Sequence, residues 1–262
     1  MATVADILNF LQTLAPTSMK MEWDNVGLNC GRTDRPVTKI MVALDPFPHV
    51  CREAKEQGAD LLVTHHALIW KPGFVTNESS WGCSTLFLIE NGIAHINAHT
   101  NLDQAPGGVN DVLAQTLGLE DIRVIAPCGV SDNGEEWGLL RMGSVSEQPL
   151  NAFLAAVKEK LHCQGLRYVD GGKPVRKVAV GGGGCAGEMM DAVRAGCDTF
   201  VTADVKYNQF WDAKELGLNL VDAGHFHTEN PVVAVLAEKI ATAFPEIAVE
   251  ISKTHGDCMK FY

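Results

Sequence analysis

The chain has 262 residues, 46% hydrophobic and 20% charged, with a formal net charge of −11. A chain of this size buries a full core, as one large domain or two smaller ones. Lys and Arg are scattered, so a duplex nucleic-acid partner is not expected, whereas a small anionic substrate stays compatible with a locally positive or metal-charged site.

In chain order, residues 4–14 have helical spacing and residues 39–44 (KIMVAL) read as a buried strand. A helix is predicted near 48–57, a strand at 60–63, a helix at 84–91 and a strand at 94–98. Another helix opens after Pro106-Gly107-Gly108. Residues 135–145 and 151–161 look like an extra strand and helix, and the α/β scheme resumes with a strand at 177–180 (KVAV). Helices alternating with strands buried on both faces give an α/β class.

The second half echoes the first. "QGADLLVTHH" (57–66) parallels "AGCDTFVTAD" (195–204), and Lys39–Val42 parallels Lys177–Val180 at the same offset of 138 residues. "NGIAHINAH" (91–99) parallels "LGLNLVDAG" (216–224) at a shorter offset. The expected architecture is an internal duplication: two similar α/β units, 1–128 and 129–262, packed as one body and facing a shared metal-binding cleft.

No apolar run is long enough to span a bilayer. The start, MATVADILNF, lacks a basic region and carries Asp6, so no secretory leader is expected and a cytoplasmic location follows. Eight cysteines occur without a CxxC pair, which reads as reduced, mostly buried thiols.

Three polar groups follow predicted strands: Thr64-His65-His66, "AHTNLDQAPGG" (98–108) with His99 and Asp103, and "DAGHFHTEN" (222–230) with His225, His227 and Glu229. Mixed N and O donors suit a divalent zinc, iron or manganese ion. One catalytic ion needs about three protein ligands. His65, His66, Asp103, His225 and Glu229 exceed that, which argues for two ions and a water activated between them. Adjacent strand residues point to opposite faces, so His65 and His66 share a site only if the strand ends there. Pro231 favours a helix start at Asn230-Pro231 or Thr228, which leaves His225 in a loop.

Two further stretches stay open. "KVAVGGGGCAGEM" (177–189) offers Gly182, Gly183 and Gly184 either as an anion cradle or as a tight strand-to-helix turn, and it matches no nucleotide fingerprint. "MEWDNVGLNCG" (21–31) reads as a structural turn with Trp23 as a core anchor, or as a wall of the cleft. No GxSxG elbow occurs, and Cys128 and Cys185 have no evident histidine partner.

"WDNVGL", "THHALI", "HTNLDQAPGGVND", "DVKYNQFWDA" and "DAGHFHTE", in that order, resemble the GTP cyclohydrolase I type 2 homologue family, the NGG-interacting-factor-like dinuclear metal proteins. The resemblance covers nearly the whole chain. It implies two similar α/β units, toroidal homohexamers, and metal sites facing an internal cavity. By motif position it assigns His65, His66, Asp103, His225 and Glu229 as metal ligands, with Glu229 touching both ions and His99 beside them. The chain departs from the family at Thr202-Ala203-Asp204, and at Asn208, where a histidine is common. The reading is a metal-dependent hydrolase of a small molecule, a nucleotide or other phosphate-bearing compound, with His99, His227 and Asp204 as candidate proton carriers. Ring opening of GTP is implied by the family name alone. The alternative is a non-catalytic metal-handling or regulatory hexameric scaffold.

Overall fold

The chain opens on a capping box. Thr3 Oγ1 accepts from Asp6 N while the Asp6 carboxylate accepts from Thr3 N, and helix α1 (Val4–Leu14) buries Val4, Ile7 and Leu11. The computed structural model describes residues 1–71, 73–131 and 133–262. After α1 come β1 (Gly27–Cys30), β2 (Lys39–Ala43), α2 (Pro48–Glu56) and β3 (Leu61–Thr64). Then follow α3 (Ser80–Glu90), β4 (Ala94–Asn97), α4 (Thr100–Gln104), α5 (Val109–Leu117) and β5 (Glu120–Ile125). The short β6 (Gly129–Val130) and β7 (Glu136–Trp137) precede β8 (Leu140–Gln148), α6 (Leu150–Lys160) and β9 (Arg167–Val169). The chain continues with β10 (Val175–Val180), α7 (Met189–Arg194), β11 (Thr199–Thr202), α8 (Tyr207–Leu216) and β12 (Asn219–Asp222). It finishes with α9 (His225–Glu229), α10 (Pro231–Ala243) and β13 (Ala248–Ile251). The protein is thus α/β, as its alternating pattern predicts.

Two compact units result: residues 1–105 with 233–256, and residues 106–232 with 257–262. These bounds differ from the 1–128 and 129–262 halves drawn from the sequence, for two reasons. Helix α5 places Leu113, Ala114 and Leu117 in the second unit's core. Strand β13 pairs in parallel with β2 and so returns the late chain to the first unit.

The first unit holds a five-stranded sheet in the order β1-β4-β3-β2-β13, parallel except for β1. Met41, Leu62, Val50, Leu88 and Ile93 belong to one of its cores. The second unit holds a six-stranded sheet, β5-β8-β10-β11-β12-β9, in which β10, β11 and β12 run parallel. Val178, Val180, Val201 and Val221 enter one core of this unit, while Ala179, Phe200 and Leu220 enter another. That alternation buries the sheet on both faces, as the continuous apolar runs require.

One turn recurs in the two units. Gly58 (φ +71°) and Gly196 (φ +78°) each follow a helix in the left-handed region that glycine tolerates. Two residues on, Asp60 accepts from the N–H of Thr38 and Lys39, and Asp198 accepts from those of Arg176 and Lys177. These are the residues matched at an offset of 138 in the sequence. Each aspartate fastens the loop after a helix to the start of the neighbouring strand.

Candidate metal centre

Strand β3 stops at Thr64, and this frees the next two side chains from strand alternation. The His65 and His66 rings then lie 4.9 Å apart, and His99 joins them at 5.1 and 5.6 Å between centroids. One nitrogen from each of the three lies within 4.8 Å of the others. His65 is 1% exposed and His99 7%.

The outer nitrogen of each ring has an oriented partner. His65 Nδ1 bonds Ala98 O at 2.9 Å, His66 Nδ1 bonds Asp45 Oδ1 at 2.6 Å, and His99 Nδ1 bonds Asp24 Oδ2 at 2.9 Å. A carbonyl or an ionised carboxylate only accepts, so each Nδ1 donates, and the tautomer with Nδ1–H is the one whose Nε2 can ligate. Burial pushes the Asp24 carboxyl up, but hydrogen bonds from His99 and Thr100 outweigh it and hold Asp24 well below the usual carboxylate range. Asp24 is therefore a charged acceptor. Asp103, on α4 and 7% exposed, places Oδ1 3.6 Å from His65 Nε2.

The turn after β3 is locked from behind. Thr64 Oγ1 donates to His66 O at 2.6 Å and lies 2.8 Å from His95 Nε2. The hydroxyl has one proton, already given, so His95 donates to it.

In the second unit the prediction of a loop at His225 is corrected. His225–Glu229 form the short helix α9, and the i, i+4 spacing brings His225 Nε2 to 3.1 Å from Glu229 Oε2. His225 Nδ1 bonds Asp204 Oδ2 at 2.7 Å, which repeats the carboxylate–imidazole pattern of the first unit. Asp204 holds φ +52°, a left-handed conformation uncommon outside glycine. Glu229 is 4% exposed.

The glycine run is a packing turn. Gly182 N donates to Asn110 Oδ1 at 2.7 Å and Gly183 N to Thr228 Oγ1 at 3.0 Å, so neither N–H is turned toward an anion. Gly183 has φ +62°, and a Cβ there would stand 2.2 Å from Glu229 Oε1 and 3.1 Å from His225 Nε2. At Gly182 and Gly183 the tight-turn alternative fits these bonds, with close approach of the backbone to Glu229.

Among the predicted proton carriers, His99 lies with His65 and His66, and Asp204 orients His225. His227 turns elsewhere: its Nδ1 meets Leu161 O at 3.1 Å and its Nε2 lies 3.4 Å from Asp257. Asn208 is exposed on α8. Trp23 is 61% exposed and is no core anchor. Only Cys51, Cys163 and Cys197 of the eight thiols are buried, fewer than expected. Asp45 went unrecognised in the sequence, since nothing in "ALDPF" marks a carboxylate that will meet a histidine 21 residues on. Among the described residues no helix is long and apolar enough to cross a membrane.

Imidazoles oriented through Nδ1 and buried carboxylates are the donor types a divalent ion takes, and His65, His66 and His99 form one group that could hold such an ion. The family described as Duf34/NIF3 (NGG1p interacting factor 3) matches residues 2–257. A Clostridium perfringens protein named GTP cyclohydrolase 1 type 2 homolog is 35% identical over 98% of both chains. A Streptomyces coelicolor protein of the same name is 35% identical over 98% of this chain and 89% of its own. Among solved structures, a Bacillus cereus protein related to NIF3 superposes with a TM-score of 0.93 at 26% identity, covering 100% of this chain and 99% of that one. A Staphylococcus aureus hypothetical protein gives 0.90 at 30% identity, over 99% of each.

Proposed function

Because the chain belongs to the Duf34/NIF3 family, we propose that it holds a dinuclear divalent-metal centre and uses it to hydrolyse a small molecule. The observation that carries this reading is the tethering of His65, His66 and His225 through Nδ1, by Ala98 O, Asp45 and Asp204 respectively, which presents Nε2 as the ligating atom. His65, His66 and Asp103 are the proposed ligands from the first unit, and His225 and Glu229 those from the second. Five protein donors suit two ions, of zinc, iron(II) or manganese, better than one. Such ions, when bound, supply Lewis acidity and lower the pKa of a water molecule.

The chain's own residues do the rest. Asp45 and Asp204 hold imidazole orientation. His99, whose Nδ1–H is paired with the ionised Asp24, turns its Nε2 toward His65 and His66 and is the proposed proton carrier there. The names of the relatives make GTP a first substrate to assay, and nucleotides and phosphoesters the wider class. A homohexameric ring is part of the same proposal.

Elemental analysis after reconstitution tests the centre. About two ions per chain are expected, with His65→Ala and His66→Ala each losing about one. Wild type holding less than about a tenth of an equivalent would sink the proposal. Turnover is tested by Glu229→Gln, which should abolish hydrolysis of any compound the wild type consumes. A metal-loaded wild type that consumes none leaves a metal-handling or regulatory scaffold. Light scattering on the purified protein reads the number of subunits.

A further inference from the structure

Two tryptophans stand at the edge of the histidine group, and the mechanism above does not use them. Trp23 is 61% exposed and Trp70 47%. Their rings are nearly parallel, at 17° with centroids 6.2 Å apart. Both meet His99 edge-on, Trp70 at 4.9 Å and Trp23 at 6.0 Å. Indoles gain most by burial, so a half-exposed pair held in one orientation beside a buried histidine needs a reason.

The backbone around the pair is fixed. Lys20 Nζ reaches the carbonyls of Met21, Glu22 and Asp24 at 3.3, 3.4 and 2.8 Å. Met21 N donates to Thr100 Oγ1 at 2.8 Å. On the other side, Leu68 N and Ile69 N donate to Asn29 Oδ1 at 2.9 and 3.1 Å, and Asn25 Nδ2 donates to Ile69 O at 2.6 Å. Asn29 is in turn held by Asn97 Oδ1, which accepts from its Nδ2 at 3.0 Å. The stretch "WDNVGLN" thus ties Trp23, Asp24 and the chain leading to Trp70 into one preorganised wall, with little left to order on binding.

We infer that Trp23 and Trp70 form an aromatic platform that binds the flat heteroaromatic ring of a small ligand next to His99. An indole face stacks on any π-system of matching size, which selects for planarity rather than for one hydrogen-bond pattern. A protein partner fits less well. A stable interface buries roughly 800 Å² on each side, far more than two half-exposed indoles offer. Identifying the ring as part of the substrate rests on the metal reading above. Binding of the ring itself does not.

The test is calorimetric titration of guanosine and of adenosine into wild type, Trp23→Ala, Trp70→Ala and Trp23→Phe. Ribose 5-phosphate, which lacks the heteroaromatic base, serves as the control, and metal content is measured on each preparation. Both nucleosides should bind wild type and weaken about tenfold or more in each alanine variant, with most affinity kept by Trp23→Phe. Ribose 5-phosphate should behave alike in all four. A wild type that ignores both nucleosides at millimolar concentration overturns the inference, as does unchanged affinity in both alanine variants. Alanine variants that lose metal but keep nucleoside affinity also overturn it, because the indoles would then serve only to support His99. Nucleoside binding by a wild type that takes up no metal sustains the platform and removes the metal reading instead.

Discussion

His95 shows what one buried residue contributes to this fold. It is fully buried on β4, and burial lowers its pKa to about 3. The folded value lies below the unfolded one, so the unfolded chain binds a proton that the folded chain refuses. The neutral ring's contribution is whole above about pH 6.5 and is lost as pH falls toward 3. Gln keeps a donor for Thr64 but does not titrate. His95→Gln should therefore flatten the acid limb of a stability–pH curve, measured by urea unfolding from pH 7.5 to 4, at a cost of roughly 1–2 kcal/mol at neutral pH. An acid limb as steep as in wild type would remove His95 as its source. Five of the nine histidines stood out in the sequence because they lie in polar groups just past predicted strands, and His95 did not. Its strand was legible at 94–98, but which face a mid-strand histidine takes depends on packing partners a single sequence does not display. The same limit hid Asp45, whereas Asp103, His225 and Glu229 lay inside motifs dense in donors.

The strand-to-helix turn at 181–184 shows how an element imposes its sequence. Gly183 combines φ +62° with a Cβ position 2.2 Å from Glu229 Oε1, while at Gly187 nothing stands within 4 Å and φ is ordinary. Gly183→Ala should cost about 1–3 kcal/mol, read by thermal unfolding in chelator, and should lower metal content. Gly187→Ala should be near neutral in both readings. Equal effects of the two would mean that the approach to Glu229 does not constrain the turn. Four successive glycines announced a tight turn, but cradle and packing turn look the same until Asn110 and Thr228 are seen to take the N–H groups. Helix α9 was missed for a different reason. Five residues, "HFHTE", are too few to show a helical period, and Pro231 marked only the start of α10.

On the scale of the whole chain, the α/β class was legible because strands such as β10 and β11 are apolar on both faces, and that pattern needs no partner to be read. The division into units was not. A cut made along the sequence follows chain order, whereas a compact unit follows pairing, and β13 is an edge strand whose Glu250 and partly exposed neighbours give no continuous apolar signal. What fastens it is Glu53. Its carboxylate accepts from Ser252 Oγ, Lys253 N, Thr254 N and Thr254 Oγ1. Burial pushes this carboxyl up, but those bonds prevail and bring it down to about 2. The folded value lies below the unfolded one, so this contribution is present above about pH 4.5 and is lost as pH falls through about 2. Glu53→Gln should cost roughly 1–3 kcal/mol and speed amide exchange in β13 more than in β3. Equal exchange in both strands would show that Glu53 does not hold this end of the sheet.

The return of the chain to its first unit also sets an order of events during synthesis. Residues 106–232 emerge as one uninterrupted segment and have nearly all of their own sheet and core available before the first unit does. Strand β2, by contrast, finds β3 soon after it leaves the ribosome but waits until Ala248 for β13, its parallel neighbour on the other side. Through that interval one side of β2 carries unpaired N–H and C=O groups, the kind of edge that recruits strands from other nascent chains. The five-stranded sheet is therefore completed only when β13 arrives, and the interval before that is its most exposed moment.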